Sequence, residues 1–272
     1  MLFYYLQSRY YDPVVERFLN ADDAAYLGVS GTILGWNLFG YCENNSVTLA
    51  DYNGYETIDL KNDFRFIDNS YYGGDQDWWG NSTFKVYLFF NRRKADVGCG
   101  PVAAANIIAY LKLYKGLSKL TSRTVKTRNG FLGLMNDVFD YVKPHATGLW
   151  FLSTFANGVE KYAKSKGVKL KAYWSSSFPS FNNAVKYIKD GLKRDCPVAL
   201  NVHSNRRAKL ISGYYQESME NHWVVITGIT DEIVQGKRKV TLTVASWGMR
   251  FTLDFRDVYD YSSYWGLMYF TW

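Results

Sequence analysis

Three cysteines and three histidines are the chain's richest source of nucleophilic and proton-transferring chemistry. Cys99 stands in the run Asp96-Val97-Gly98-Cys99-Gly100-Pro101, directly before an apolar stretch with helical spacing. Pro101 suits a first helical turn, where its missing N–H costs nothing, and the flanking glycines permit tight turns and close approach of a substrate. A cysteine at a helix N-terminus faces the positive end of the helix dipole, which favours the thiolate. The thiolate is the form that attacks carbonyl carbon. The motif alone fits a buried core cysteine equally well, since cysteine is among the most buried residue types.

His222 tips the balance. It opens Asn221-His222-Trp223-Val224-Val225-Ile226, the start of an apolar strand that would hold its backbone while the ring faces a neighbouring element. His145 follows Lys143-Pro144 in a loop pattern, and His203 ends a strand before the polar Ser204-Asn205-Arg206-Arg207, so both are weaker as a general base. A third short run, Ala245-Ser246-Trp247-Gly248, closes another strand. Ser246 can hydrogen-bond an imidazole, and Trp223 and Trp247 could wall a site, although core packing explains both tryptophans as readily.

The elements that must position these residues follow from periodicity. Apolar residues recur at Val102, Ala105, Ile108 and Ala109, predicting a helix over 101–114. Residues 130–142, 151–165 and 181–194 predict further helices, the last through Ala184, Ile188 and Leu192. Residues 83–90 predict a strand leading into the nucleophile's helix. Strands follow over 197–202, 223–229, 239–245, 250–255 and 264–270. Helices first and an antiparallel sheet second is an α+β order.

With these elements placed, DVGCGPVAAANIIAYL, NHWVVITGI and VTLTVASWG together resemble the papain-like cysteine peptidases, in particular the branch of bacteriocin-processing peptidases. The resemblance spans roughly residues 84–270, with its specific content in the three runs. It implies a papain-like α+β fold with the nucleophile at a helix N-terminus packed on an antiparallel sheet. It also implies that Cys99 is the nucleophile and His222 the base that later protonates the leaving amine. Two departures stand out. The family's Asn or Asp, one position before Ser246, is Ala245 here, so Ser246 substitutes for it, or the pair works as a dyad, or the site is weakened. The family's oxyanion glutamine, a few residues before the cysteine, is missing; the nearest amide is Asn91, farther upstream. The backbone N–H of Cys99 would supply part of an oxyanion hole without it, and Gly98 would line the substrate path.

Residues 1–56 have another texture, rich in Tyr, Asn, Asp and Gly. The order YYLQSRYYDPVVERFLNAD then GWNLFGYCENNSVTLADYNG resembles the end of the Rhs/YD-repeat core domain. That resemblance implies an upstream β-strand shell and a C-terminal toxin, with a cognate immunity protein as a partner. It also implies delivery by an Rhs-type carrier into the cytoplasm of a target cell, or a cytoplasmic location for an orphan chain. In that family two aspartates in DPxG motifs cut the core from the toxin. The matching Asp22 and Asp51 lack the proline and read as turn residues. The organisation expected is therefore an Rhs-core end at 1–56, a polar linker at 57–82, and the peptidase domain at 83–272.

Composition narrows the alternatives. Hydrophobic residues make up 47% of the 272 positions, enough for a packed core. The formal net charge of +7 is spread over short groups such as Arg92-Arg93-Lys94 and Lys237-Arg238-Lys239, which favours a basic solvated surface over a nucleic-acid interface. Cys42, Cys99 and Cys196 show no CxxC spacing, so neither a structural zinc site nor a disulfide scaffold is expected, and no cofactor is implied. No apolar run reaches a membrane span. The function expected is amide hydrolysis of a protein or peptide substrate through a Cys–His pair. The alternatives are acyl transfer or deamidation by the same pair, or a papain-like binding domain with weakened catalysis.

Overall fold

The computed structural model describes residues 4–6, 9–15, 17–21, 39, 56–87, 90–234 and 237–272. Near the N-terminus, β1 (Tyr4–Leu6), β2 (Arg9–Asp12) and β3 (Arg17–Phe18) form a three-stranded antiparallel sheet. Asp12-Pro13 turns the chain, with the Asp12 carboxylate accepting from the Val14 N–H at 2.8 Å. Asp22, Cys42 and Asp51 lie outside the described residues.

The main body is built on a nine-stranded antiparallel sheet. In chain order its strands are β4 (Glu56–Asp59), β7 (Lys171–Ser175), β8 (Val198–His203), β9 (Lys209–Ser212), β10 (Tyr215–Ser218), β11 (His222–Val234), β12 (Lys237–Ser246), β13 (Met249–Asp254) and β14 (Tyr264–Thr271). Their spatial order is β10-β9-β13-β12-β11-β8-β14-β7, with β4 pairing the outer half of β11. A separate hairpin, β5 (Thr83–Tyr87) and β6 (Phe90–Arg93), occupies the stretch read as a single strand. The helices are α1 (Lys94–Val97), α2 (Cys99–Tyr114), α3 (Arg128–Phe139), α4 (Leu152–Ser165), α5 (Phe181–Lys193) and α6 (Phe255–Tyr261). Every longer helix and strand expected from periodicity is present within a few residues of its bounds.

Two helices show why. α5 has a one-sided pattern: Ala184, Val185, Ile188 and Leu192 are buried, and Ser180 caps its start by accepting from the Asn183 N–H. α2 is buried on all sides from Gly100 to Leu111, as befits a central helix with sheet and helices around it. Its small residues, Ala103, Ala104, Ala105 and Ala109, let neighbours approach closely.

The stretch 57–82, expected to be a linker, is part of the domain. β4 joins the sheet, Phe64, Phe66, Ile67 and Trp79 are core residues, and a 3₁₀ turn runs over Gln76–Trp79. Glu56, placed at the end of the N-terminal segment, is ion-paired to Lys189 of α5 at 2.7 Å. Lys189 also meets the buried Asp231, which Arg238 holds from its other side. These cations keep the Asp231 carboxyl below its ordinary range despite burial, which works in the opposite direction. Polar composition misled here because few residues of the segment are apolar, yet those few reach the core.

Candidate active site

Cys99 is the first residue of α2, with Gly98 as N-cap between the short α1 and the long helix. No side chain caps this helix and its first turn contains no acid, while the Cys99 and Gly100 N–H groups face the Cys99 sulfur. Gly98 is required by packing rather than by substrate. A Cβ there would lie 2.2 Å from the Trp79 indole and 2.5 Å from the Lys94 carbonyl oxygen. Its expected place on the substrate path is thus taken by Trp79, a core residue in the stretch read as a linker.

His222 begins β11 and Ser246 ends β12, the neighbouring strand. The imidazole Nε2 and the Ser246 Oγ are 2.7 Å apart and buried. Trp247 stacks on the other side of the ring, 4.2 Å between centroids and 12° between planes. It reaches that position through the β12–β13 connection: Ser246 pairs with Met249, leaving a two-residue turn of Trp247 (φ 44°) and Gly248 (φ 66°). Two left-handed residues are what a tight hairpin of the right twist needs. Such a conformation is ordinary for glycine and costly for tryptophan. The turn is clasped from outside by backbone hydrogen bonds from Tyr72 N–H to the Gly248 carbonyl and from Gly248 N–H to the Gly74 carbonyl.

Cys99, His222, Trp223, Ala245, Ser246 and Trp247 line one pocket together with Gln76 and Asn106. Its free volume, about 10 Å³, is room for no more than one water. Of the residues expected to form the peptidase site, Asn91 and Gly98 are not among the lining residues. Asn91 is exposed on β6, paired with Lys85 in the hairpin, so its amide serves no common site with Cys99. Trp223 contributes to the wall, but its indole belongs to the core. It stacks on Phe155 at 4.4 Å and donates from Nε1 to the Leu149 carbonyl at 2.7 Å. Ala245 is buried between its partners Val225 and Arg250, with no polar side chain to offer.

Gln76 and Asn106 were missed in the sequence. Gln76 opens the 3₁₀ turn and donates from Nε2 to the Ala95 carbonyl at 2.8 Å. It precedes Cys99 by more than the family spacing and sits in the segment dismissed as linker. The available signal was the pair Trp78-Trp79 beside it, too apolar for a solvated tether. Asn106, buried two turns along α2, accepts the Gly74 N–H at 2.8 Å and ties the Gln76 segment to the nucleophile's helix.

The electrostatics correct one expectation. Burial pushes the Cys99 thiol upward, and this outweighs the opposing N–H groups of Trp223, Gly100 and Cys99 itself. Burial likewise pushes His222 down to about 3. Desolvation penalises whichever form is charged, so burial favours the neutral thiol and the neutral imidazole in this closed pocket. The helix start alone does not outweigh burial at the thiol.

The family model described as the Peptidase_C39 like family matches residues 84–244, more than half of the chain. The chain belongs to this family. Its α+β fold is that of the papain-like cysteine peptidases, with the antiparallel sheet and helices already described. Within this family member, Cys99 and His222 fall inside the matched stretch, whereas Gln76, Ser246 and Trp247 fall outside it.

Proposed function

We propose that this Peptidase_C39-like domain hydrolyses peptide bonds with Cys99 as nucleophile, His222 as general acid–base and Ser246 as the group that orients the imidazole. The observation that carries the reading is the 2.7 Å contact of His222 Nε2 with Ser246 Oγ, in the pocket that Cys99 also lines. With the Nε2 proton donated to Ser246, Nδ1 keeps its lone pair for the thiol. Ser246 thereby does what the amide absent at Ala245 would do.

Because burial favours the neutral form of both partners, proton transfer accompanies attack rather than preceding it. Nδ1 takes the Sγ proton as sulfur bonds to the carbonyl carbon. The oxyanion faces the N–H of Cys99 and, once it leaves Ala95, the amide of Gln76. Nδ1 then protonates the departing amine as the C–N bond breaks, leaving an acyl-thioester. Water attacks that carbonyl and gives its proton to Nδ1. The S–C bond breaks, and the sulfur recovers the proton.

The test is peptide cleavage by the purified chain beside Cys99→Ala. Cleavage that disappears in the variant, with an acyl-enzyme mass on wild type only, supports hydrolysis. An acyl-enzyme that forms but partitions to added amines instead of water would move the assignment to acyl transfer.

The motif order of residues 1–56 supports a further part of the reading: a toxin domain carried by an Rhs-type protein, acting on a protein in the recipient cell's cytoplasm and held in check by an immunity protein. Growth arrest on expression that Cys99→Ala relieves is the expected result. Equal toxicity of both forms would sink it.

A further inference from the structure

Cys99 and His222 come from different elements, the head of α2 and a strand of the sheet, so their meeting depends on how helix and sheet are held together. Asn106 follows Cys99 on α2 by two helical turns, which puts both on one face of the helix. Its side chain is 1% exposed and lines the same pocket. Its Oδ1 accepts the Gly74 N–H at 2.8 Å. The backbone of 73–74 comes this close because it carries no side chains. A Cβ on Gly73 would stand 2.8 Å from Asn106 Oδ1, and one on Gly74 would stand 2.2 Å from the Phe131 ring. Gly73 is also left-handed, at φ 80°.

From Gly74 the contacts run on to the imidazole. The Gly74 carbonyl accepts the Gly248 N–H at 3.0 Å, and the Tyr72 N–H donates to the Gly248 carbonyl at 2.8 Å. Gly248 follows Trp247, which stacks on His222, and Ser246 just before it meets His222 Nε2. The Tyr72 hydroxyl and Thr227 Oγ1 are 2.7 Å apart, tying the same segment to the strand that begins with His222. A left-handed tryptophan persists only where its surroundings hold it, and the 72–74 backbone is what clasps this turn.

We propose that Asn106 is a positioning residue of this peptidase. By fixing Gly74 to the nucleophile's helix, it holds the Ser246–Trp247 turn, and through that turn the His222 ring, in register with Cys99. The inference rests on the peptidase reading and adds a residue that acts through others. Apolar packing tolerates small slides of a helix on a sheet, whereas a hydrogen bond weakens steeply as its geometry departs from the optimum.

The experiment measures kcat and KM of the full chain on one cleaved peptide, and the rate of Cys99 alkylation by iodoacetamide read by mass spectrometry. It compares wild type with Asn106→Leu, which fills similar space without an acceptor, and with Asn106→Asp, which restores the oxygen. Asn106→Leu should lower kcat about 10- to 100-fold, the usual effect of a misplacement near 1 Å. KM should stay within about twofold, since the loss is one of geometry rather than of substrate binding. Alkylation should slow in parallel, and Asn106→Asp should recover most of both rates. Asn205→Leu controls for lost stability. Asn205 is equally buried, accepts the Arg207 and Ala208 N–H groups, and is not among the lining residues. Its loss should lower Tm while kcat stays within about twofold of wild type. Should Asn106→Leu fail to fold, Asn106→Ser replaces it: the shorter side chain falls away from Gly74, and kcat should drop in the same direction. Wild-type kcat in folded Asn106→Leu or Asn106→Ser, no recovery in Asn106→Asp, or an equal kcat loss in Asn205→Leu overturns the inference and leaves the peptidase intact. No Cys99-dependent cleavage by wild type overturns the peptidase reading itself, and this inference with it.

Discussion

His222 and His203 have much the same immediate surroundings. Each is buried at one end of a central strand, stacked on a tryptophan: Trp247 at 4.2 Å for His222 and Trp150 at 4.7 Å for His203. Each has a small polar neighbour at its Nε2, Ser246 at 2.7 Å and Asn201 at 3.0 Å. What separates them is direction. His222 pairs with Val202, so His203, one residue on, lies on the other face of the sheet. There Asn201 and His203 converge on the Trp150 carbonyl, and Trp223, paired with Asn201, holds the Leu149 carbonyl. These contacts fix the 149–150 segment, and Leu149 in turn packs where a Cβ on Gly100 would stand. One ring shares a pocket with a sulfur and the other secures a loop. A buried histidine stacked on tryptophan is therefore no catalytic signature; what it faces across the fold is.

The comparison breaks first where its consequences are largest. Cys99→Ala or His222→Ala should lower kcat/KM by at least about 1,000-fold, since members of one catalytic unit fail together. Measured turnover of a cleaved peptide checks this, and retention of substantial activity by His222→Ala would erase the distinction between the two rings. Ser246→Ala should reduce kcat by about 10- to 100-fold with KM little changed, the worth of a hydrogen bond to a ring that becomes charged. Ser246→Thr should restore most of it, which a purely structural defect would not allow.

Acid stability sharpens the comparison differently. Burial holds both rings below the ordinary histidine pKa, His222 to about 3. The unfolded chain then binds more protons, so stability is full above about pH 6.5 and declines as pH falls below that value. For His222 the decline continues toward about pH 3. Thermal unfolding between pH 7 and 4 should show Tm falling with pH, and His222→Gln should flatten the slope more than His203→Gln does. The smallest effect is expected from His203→Phe. It keeps the stacking on Trp150 and removes both ring nitrogens, at a cost of about 1 kcal/mol for the lost contact to the Trp150 carbonyl. Peptide turnover should stay within about twofold of wild type. A large loss would mean that the loop it secures acts directly on the site.

Much of this molecule was legible along the chain. The periodicity of α2, α4 and α5 and the apolar runs of β8, β11 and β12 mark their elements, because each buries a face or is buried throughout. Gly98-Cys99-Gly100-Pro101 announces a cysteine at a helix start. Other features left no local trace. β4 is four residues of mixed exposure, and a strand that short is recognised only by its partner β11. Gln76 looked like one polar residue in a polar stretch, and Asn91 looked better because it was nearer in sequence. Distance along the chain is a poor guide to what lines the pocket, since a hairpin carries Asn91 away while a 3₁₀ turn brings Gln76 to it.

The residue types and their periods thus determined an α+β chain with a thiol at the head of a buried helix and imidazoles at strand ends. Tertiary structure decided which imidazole meets the pocket, that Ser246 hydrogen-bonds it, and that burial works against charge on thiol and ring. Helical and strand periods report which side of one element is apolar, whereas strand register, turn conformation and desolvation exist only once separate elements have packed together.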